Sequence, residues 1–186
     1  ALVKQYGADT LRFFQIFAAP PEQSLEWSDS GIEGAHRFLK KLWSFCSDNK
    51  DAIQAGQKEH TPETLLEEKQ KNNTYQEFHS ILQRACNDME RSQFNTVASA
   101  SMKMLNALTQ LDNQTPAFDA IISECTSILL RLLAPITPHI THALWKNLNF
   151  PEDIFSAPWP QPNLQALQTK NIELVVQING KRRATL

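Results

Sequence analysis

The chain has 186 residues, 41% hydrophobic and 20% charged, with a formal net charge of -2. That balance argues against a disordered tail and supplies enough apolar surface for the core of a single globular unit. The small negative charge is unlike that of an autonomous, uniformly basic nucleic-acid binder, so any RNA contact must come from a local patch.

Only five glycines occur, and apolar residues recur at helical spacing through most of the length, which points to a mainly α antiparallel bundle. The chain starts at Ala1 without methionine, and Tyr6 to Ala19 is already an amphipathic helix. Gly7 and Asp9 suit its start, and Leu11, Phe14, Ile16 and Phe17 form a stripe that has to be covered. Pro20 and Pro21 stop it, because neither can donate a backbone hydrogen bond and the second forces the first out of helical geometry. Chain ends are usually frayed and polar, so this opening reads as the middle of a longer protein.

Ser30 and Glu33 have the capping-box spacing, with Ile32, Ala35, Leu39, Leu42 and Cys46 on one face of the helix that follows. Lys50 to Glu59 is polar and reads as a loop. Thr61 and Pro62 then open a helix that is strongly periodic over Tyr75, Phe78, Leu82, Ala85 and Met89 and weaker in its first turns. Asn95 is the expected cap of the next helix, and Thr115 with Pro116 that of a nearly all-apolar one ended by Pro135. Thr137 and Pro138 start a short last helix.

From Asn149 the composition changes. A proline-rich stretch is expected to run extended over the bundle with Trp159 anchored in it. Leu174, Val176 and Ile178 then alternate before Asn179 and Gly180, the signature of a β-hairpin that opens a further small domain. The implied organisation is 1–24 connecting helix and linker, 25–150 helical bundle, 151–170 proline-rich linker and 171–186 hairpin.

Cys46, Cys86 and Cys125 lie far apart, without zinc or redox spacing, and read as free thiols of a reducing, cytoplasmic setting. His139 and His142 stand three apart but lack a third ligand, so no metal site is expected. No nucleophile arrangement or glycine-rich phosphate loop is present, and an autonomous hydrolase has no support. Asp9 and Arg12 are expected to pair locally. Trp43, Trp145 and Trp159 are expected in the core rather than against bases, and Trp27 at the helix start beside Ser28.

The wording of several segments resembles bacterial leucyl-tRNA synthetase. "YGADTLRFF" at Tyr6 to Phe14 is similar to a helix common to class I synthetases. "APPEQSLEWSDSGIEGAHRFLKKLW" at Ala19 to Trp43 is more specific and leucyl in character. "FNT" at Phe94, "LAPITPHITHALW" at Leu133, "APWP" at Ala157 and "VVQINGKRRATL" at Val175 follow in the family's order. The resemblance covers nearly the whole chain and is weakest between Asn49 and Tyr75.

It implies a helical anticodon-binding domain joined to the start of a small C-terminal domain, with leucine tRNA as partner. The catalytic, editing and remaining C-terminal domains of the same chain would be its other partners. The parent would use ATP and Mg2+ to form leucyl adenylate and charge the tRNA. Neither the His-Ile-Gly-His nor the Lys-Met-Ser-Lys-Ser segment of the family occurs here, so no catalytic, cofactor or metal residue is assigned to this chain. Candidate phosphate contacts are Arg37, Lys40 and Lys41, then Arg84, Arg91 and Lys103, and the dense cluster Lys181, Arg182 and Arg183 beside the hairpin turn. For each, the alternative is a solvated helix face. A rival for the whole chain is a helical scaffold that binds another protein through the apolar helix at Leu11 to Phe17.

Overall fold

A computed structural model describes residues 2–20, 23, 24, 26–58 and 63–167, with backbone alone at Lys58, 175–178 and 181–185. Within them the helices are α1 Leu2–Tyr6, α2 Ala8–Ala18, α3 Asp29–Asp48, α4 Lys50–Lys58, α5 Glu63–Lys71, α6 Asn73–Glu90, α7 Phe94–Leu108, α8 Phe118–Leu133 and α9 Pro138–Asn147. The mainly helical expectation holds. The backbone at 175–178 and 181–185 is extended, whereas Asn179 and Gly180, on which the expected hairpin depends, lie outside the described residues.

The centre of the molecule is α8. Ile121, Ile122, Cys125, Ile128, Leu129, Leu130, Leu132 and Leu133 are all buried on it, so it meets neighbours on every side, as an all-round apolar helix must. α7 and α9 pack on it, α6 lies along α7, and α2 bridges α3 and α7. Gly7 separates α1 from α2 at φ 85, a left-handed conformation that glycine adopts without a Cβ penalty.

Several local expectations are corrected. The start of α3 is capped by Ser28, whose hydroxyl accepts from the Gly31 amide, two residues ahead of the expected box at Ser30. The supposed loop after Lys50 is α4, and it packs more closely against α8 than any other helix does. Its polar composition hid a contact face of Ala52, Ile53 and Gly56, narrow because the residues are small. A Cβ on Gly56 would collide with the Asp119 carbonyl and come within 2.7 Å of the Ser123 Cβ, so only glycine permits this approach.

The single helix expected from Thr61 is two helices. Asn72 breaks it, and its side chain accepts from the Tyr75 amide as the cap of α6, while Thr61 and Pro62 are outside the described residues. Asn95 and Thr115 do not cap. Asn95 is already inside α7, and Thr115 turns the chain by accepting from the Phe118 amide, with Ala117 left-handed at φ 61. Thr137 and Pro138 do stand at the start of α9, where the proline occupies the first turn.

After α9 the chain runs back over α6 and α8 as a strap. Ile154, Pro160 and Ala166 are buried in it, whereas Trp159 is 36% exposed and is not the expected anchor. Polar bonds hold the strap instead. Arg131 donates to the Pro158 carbonyl at 2.9 Å, and Asn163 donates its backbone amide to His79 Nδ1 at 3.0 Å and its side-chain amide to the Tyr75 hydroxyl at 3.1 Å. These partners converge on Glu124 of α8. Tyr75 donates to Glu124 Oε1 at 2.8 Å, and Lys69 pairs with Oε2 at 2.6 Å. His79 Nε2 faces Oε1 at 3.5 Å, within ion-pair reach but without a hydrogen bond. Burial pushes the Glu124 carboxyl up, but the close approach of His79, the hydrogen bonds from Lys69 and Tyr75 and the Lys69 charge outweigh it and hold the group at about 2.

Asp9 and Arg12 do not pair with each other. Asp9 binds His139 Nδ1 at 2.8 Å and the Ile140 amide at 2.7 Å, at the positive N-terminal end of α9. Arg12 donates to the carbonyls of Ile136 and Pro135 at 2.9 and 3.0 Å, just past the C-terminal end of α8. One turn of α2 therefore clasps both sides of the link between α8 and α9. Each charge meets the helix end whose dipole favours it.

Candidate nucleic-acid interface

The outer face of α3 carries Arg37, Lys40 and Lys41, all exposed because the apolar face of this helix, Ile32, Ala35, Leu39, Leu42 and Cys46, is turned into the core. Lys41 Nζ donates to Asn106 Oδ1 of α7 at 2.8 Å. Beyond this bond Phe45 and Leu108 line one groove. Arg37 lies one turn back from Lys41 on α3, and Lys103 about one turn back from Asn106 on α7. Helix geometry thus puts Arg37 and Lys41 on one face of α3, while Lys103 is exposed on α7, the helix that the Lys41–Asn106 bond joins to it.

Lys40 faces away from that groove, toward a second one. The ridge is flanked by a cavity of about 250 Å³, lined by Lys41, Phe45 and Asp48, and another of about 280 Å³, lined by Tyr6, His36, Lys40 and Trp43. Trp43 stands 43% exposed at the second, which corrects the expectation of a core tryptophan; Trp145, at 4%, does belong to the core. The reason is register. Leu39, Leu42 and Cys46 occupy the buried face, and Trp43 is rotated off it by about 100° from Leu42.

Arg84 and Arg91 are exposed on α6 and at its C-terminal end, and Arg84 makes weak local bonds to Ser80. The side chains of Lys181, Arg182 and Arg183 are outside the described residues. Among the described residues, none of Arg37, Lys40, Lys41, Arg84, Arg91 and Lys103 is within ion-pair distance of a carboxylate. A merely solvating face ordinarily interleaves both signs, so this absence of partners favours an external anion.

Other cations are held in the fold. Lys69 pairs with Glu124, Arg12 and Arg131 bind carbonyls, and Lys50 donates to Asn147 at 3.0 Å. Only Lys41 on the ridge already has a protein partner, and Asn106, a neutral one, was not legible as part of the site. Its signal would have been a polar residue one turn from Lys103 on the same face. Among the described residues no group of three or more His, Cys, Asp or Glu could hold a metal, and no loop fits a nucleotide phosphate chain. Burial pushes the Cys46 thiol up to about 12 and the Cys125 thiol well above its ordinary value, so neither is a nucleophile at neutral pH.

Residues 72–186 match the family model described as the anticodon-binding domain of tRNA ligase. The chain is 56% identical over 187 residues to a leucine–tRNA ligase of Coxiella burnetii (strain CbuK_Q154), covering 100% of this chain and 23% of that protein. It is 50% identical over 191 residues to that of Janthinobacterium sp. (strain Marseille), covering 100% of this chain and 21% of the relative. It is 47% identical over 190 residues to that of Legionella pneumophila (strain Corby), with 98% and 23% covered. The chain therefore spans about a quarter of the length of these curated relatives. A crystal structure of a ternary complex, Agrobacterium radiobacter K84 agnB2 LeuRS with tRNA and LeuAMS, superposes with a TM-score of 0.84 at 26% identity, covering 100% of this chain and 23% of that one. The chain belongs to the family of anticodon-binding domains of tRNA ligases.

Proposed function

We propose that this chain is the tRNA-binding part of a leucine–tRNA ligase, and that it holds leucine tRNA by shape and phosphate contacts on the α3 and α7 face. The observation that carries the reading is the exposed set of Arg37, Lys40 and Lys41 on α3 and Lys103 on α7, none of them within ion-pair distance of a carboxylate among the described residues. Identity of 47–56% to leucine–tRNA ligases along essentially the whole chain supplies the partner. Arg84 and Arg91 extend the contact along α6, and Lys181, Arg182 and Arg183 add to it from a C-terminal β-hairpin.

Amino-acid activation belongs to the part of the ligase outside this chain, where ATP and Mg2+ would bind. The same reading divides the chain into a connecting helix and linker at 1–24, the bundle at 25–150, a linker at 151–170 and the hairpin at 171–186, joined to catalytic, editing and C-terminal domains. Three free cysteines support a cytoplasmic setting. No helix among the described residues is long and apolar enough to cross a membrane. The scaffold alternative is weakened by α2 itself. Phe13 and Phe14 are buried, Leu11 and Ile16 are half-buried, and only Phe17 of that helix remains as an exposed large apolar residue, at 41%.

Filter binding of the chain to leucine tRNA across a salt series tests this. Affinity should fall steeply with salt, and changing Arg37, Lys41 and Lys103 together to glutamine should reduce the logarithmic slope by about 2–3, since each phosphate contact contributes about 0.7–0.9. No measurable binding at low salt, or an unchanged slope in the triple variant, would reject the assignment.

A further inference from the structure

We propose that the cavity beside Trp43 is a nucleobase site, which takes one unpaired base of the RNA stacked on the indole while the adjoining phosphate lies on the Arg37–Lys40–Lys41 ridge. The proposal rests on the RNA-binding reading above and adds a base contact to its phosphate contacts. Phe38 and Phe45 of α3 are buried, and Trp43 alone among the aromatic residues of this helix is left substantially in water. A cavity of about 280 Å³ opens next to it, roomy enough for one base. Tyr6 and His36 stand edge to face in its wall at 5.5 Å, and Leu39 and Ile140 add apolar lining. An aromatic face on an apolar wall is what a base stacks upon, whatever its identity.

Charge identifies the occupant. Lys40 lines the cavity and also stands on the ridge, so one side chain joins the stacking site to the phosphate track. The one carboxylate in the wall, Asp9, has its two oxygens engaged by His139 Nδ1 and the Ile140 amide, so it does not oppose a polyanion as a free charge would. The groove on the other side of the ridge differs. Lys41 faces it too, but Asp48 is exposed there without a partner within ion-pair distance among the described residues, so a free carboxylate opposes a phosphate at that groove. An apolar protein segment would leave Lys40 unmatched.

The test compares Trp43→Leu and Trp43→Phe with the unchanged 186-residue chain, by filter binding to leucine tRNA over a salt series. Trp43→Leu should weaken binding by about 5- to 100-fold with the salt slope retained, because stacking releases no counterions. Trp43→Phe, which keeps an aromatic face and guards against a folding defect, should retain most of the affinity. Saturating tRNA should also protect the Trp43 contribution to fluorescence, taken as the difference between the chain and Trp43→Phe, from acrylamide quenching. Unchanged affinity in Trp43→Leu, or unchanged acrylamide access on tRNA binding, overturns the base site and leaves the phosphate reading standing. Failure of the unchanged chain to bind tRNA at low salt overturns both.

Discussion

Adjacent residues of α8 face neighbours of opposite chemistry. At Ser123 the neighbour is α4, which approaches so closely that Gly56 has no room for a Cβ, and the contact is one of shape. At Glu124 the neighbours are Lys69, Tyr75, His79 and, through them, Asn163 of the strap, and the contact is a network of charge and hydrogen bonds. Close packing holds a helix wherever shapes match, but it tolerates no added volume. A polar network tolerates volume and demands that every member be present, because each lost partner leaves a desolvated group behind. The strap, with few buried apolar side chains, depends on the second kind of bond.

The largest effect should come from Glu124→Ala, which leaves Lys69, the Tyr75 hydroxyl and His79 unmatched. A loss of about 2–4 kcal/mol is expected by denaturant unfolding, toward the lower side of the cost of breaking a buried pair because the Glu124 side chain is 33% exposed. A loss under about 1 kcal/mol would mean that the network is ornamental and the comparison with α4 mistaken. Gly56→Ala should cost about 1–3 kcal/mol through overpacking, even though alanine is otherwise the better helix former. If it stabilises the chain, α4 is not held where the packing requires.

The pH dependence separates the two contacts further. The Glu124 carboxyl lies at about 2 in the fold against an ordinary 4.5, so the unfolded chain binds the proton more readily. Its stabilisation is therefore complete above about pH 4.5 and is lost as pH falls toward 2, and Glu124→Gln should flatten the stability profile in that window. Gly56→Ala should leave the shape of that profile unchanged, since no titrating group is involved. The smallest effect is expected at Arg84→Gln, within about 0.5 kcal/mol of the parent chain, because its local bonds to Ser80 are long and exposed. A larger loss would place Arg84 in the fold rather than on a binding face.

The candidate site was legible in part. Arg37, Lys40 and Lys41 could be read from α3 alone, since one amphipathic pattern separates buried from exposed positions. That Lys41 of α3 meets Asn106 of α7, the helix that carries Lys103, depends on which helices the fold brings together, and the sequence does not show it. Trp43 shows the same limit from the other direction. Tryptophan is usually covered, and only its position on α3 relative to Leu42 and Cys46 shows that this one faces out.

By itself the sequence determined the helices with strong periodicity or proline punctuation: the end of α2 before Pro20, the apolar α8, its stop at Pro135 and the start of α9 at Pro138. These are local effects, set by backbone chemistry and by side chains one turn apart. Tertiary structure alone decided that polar Lys50–Lys58 is helical, that Asp9 and Arg12 reach across to the link between α8 and α9 rather than to each other, and that Glu124 gathers its partners from α5 and α6. In each case the stabilising partner is dozens of residues away. A short helix of low apolar content gains its stability from the surface it meets, and a charge chooses its partner from whatever the fold brings within a few ångströms.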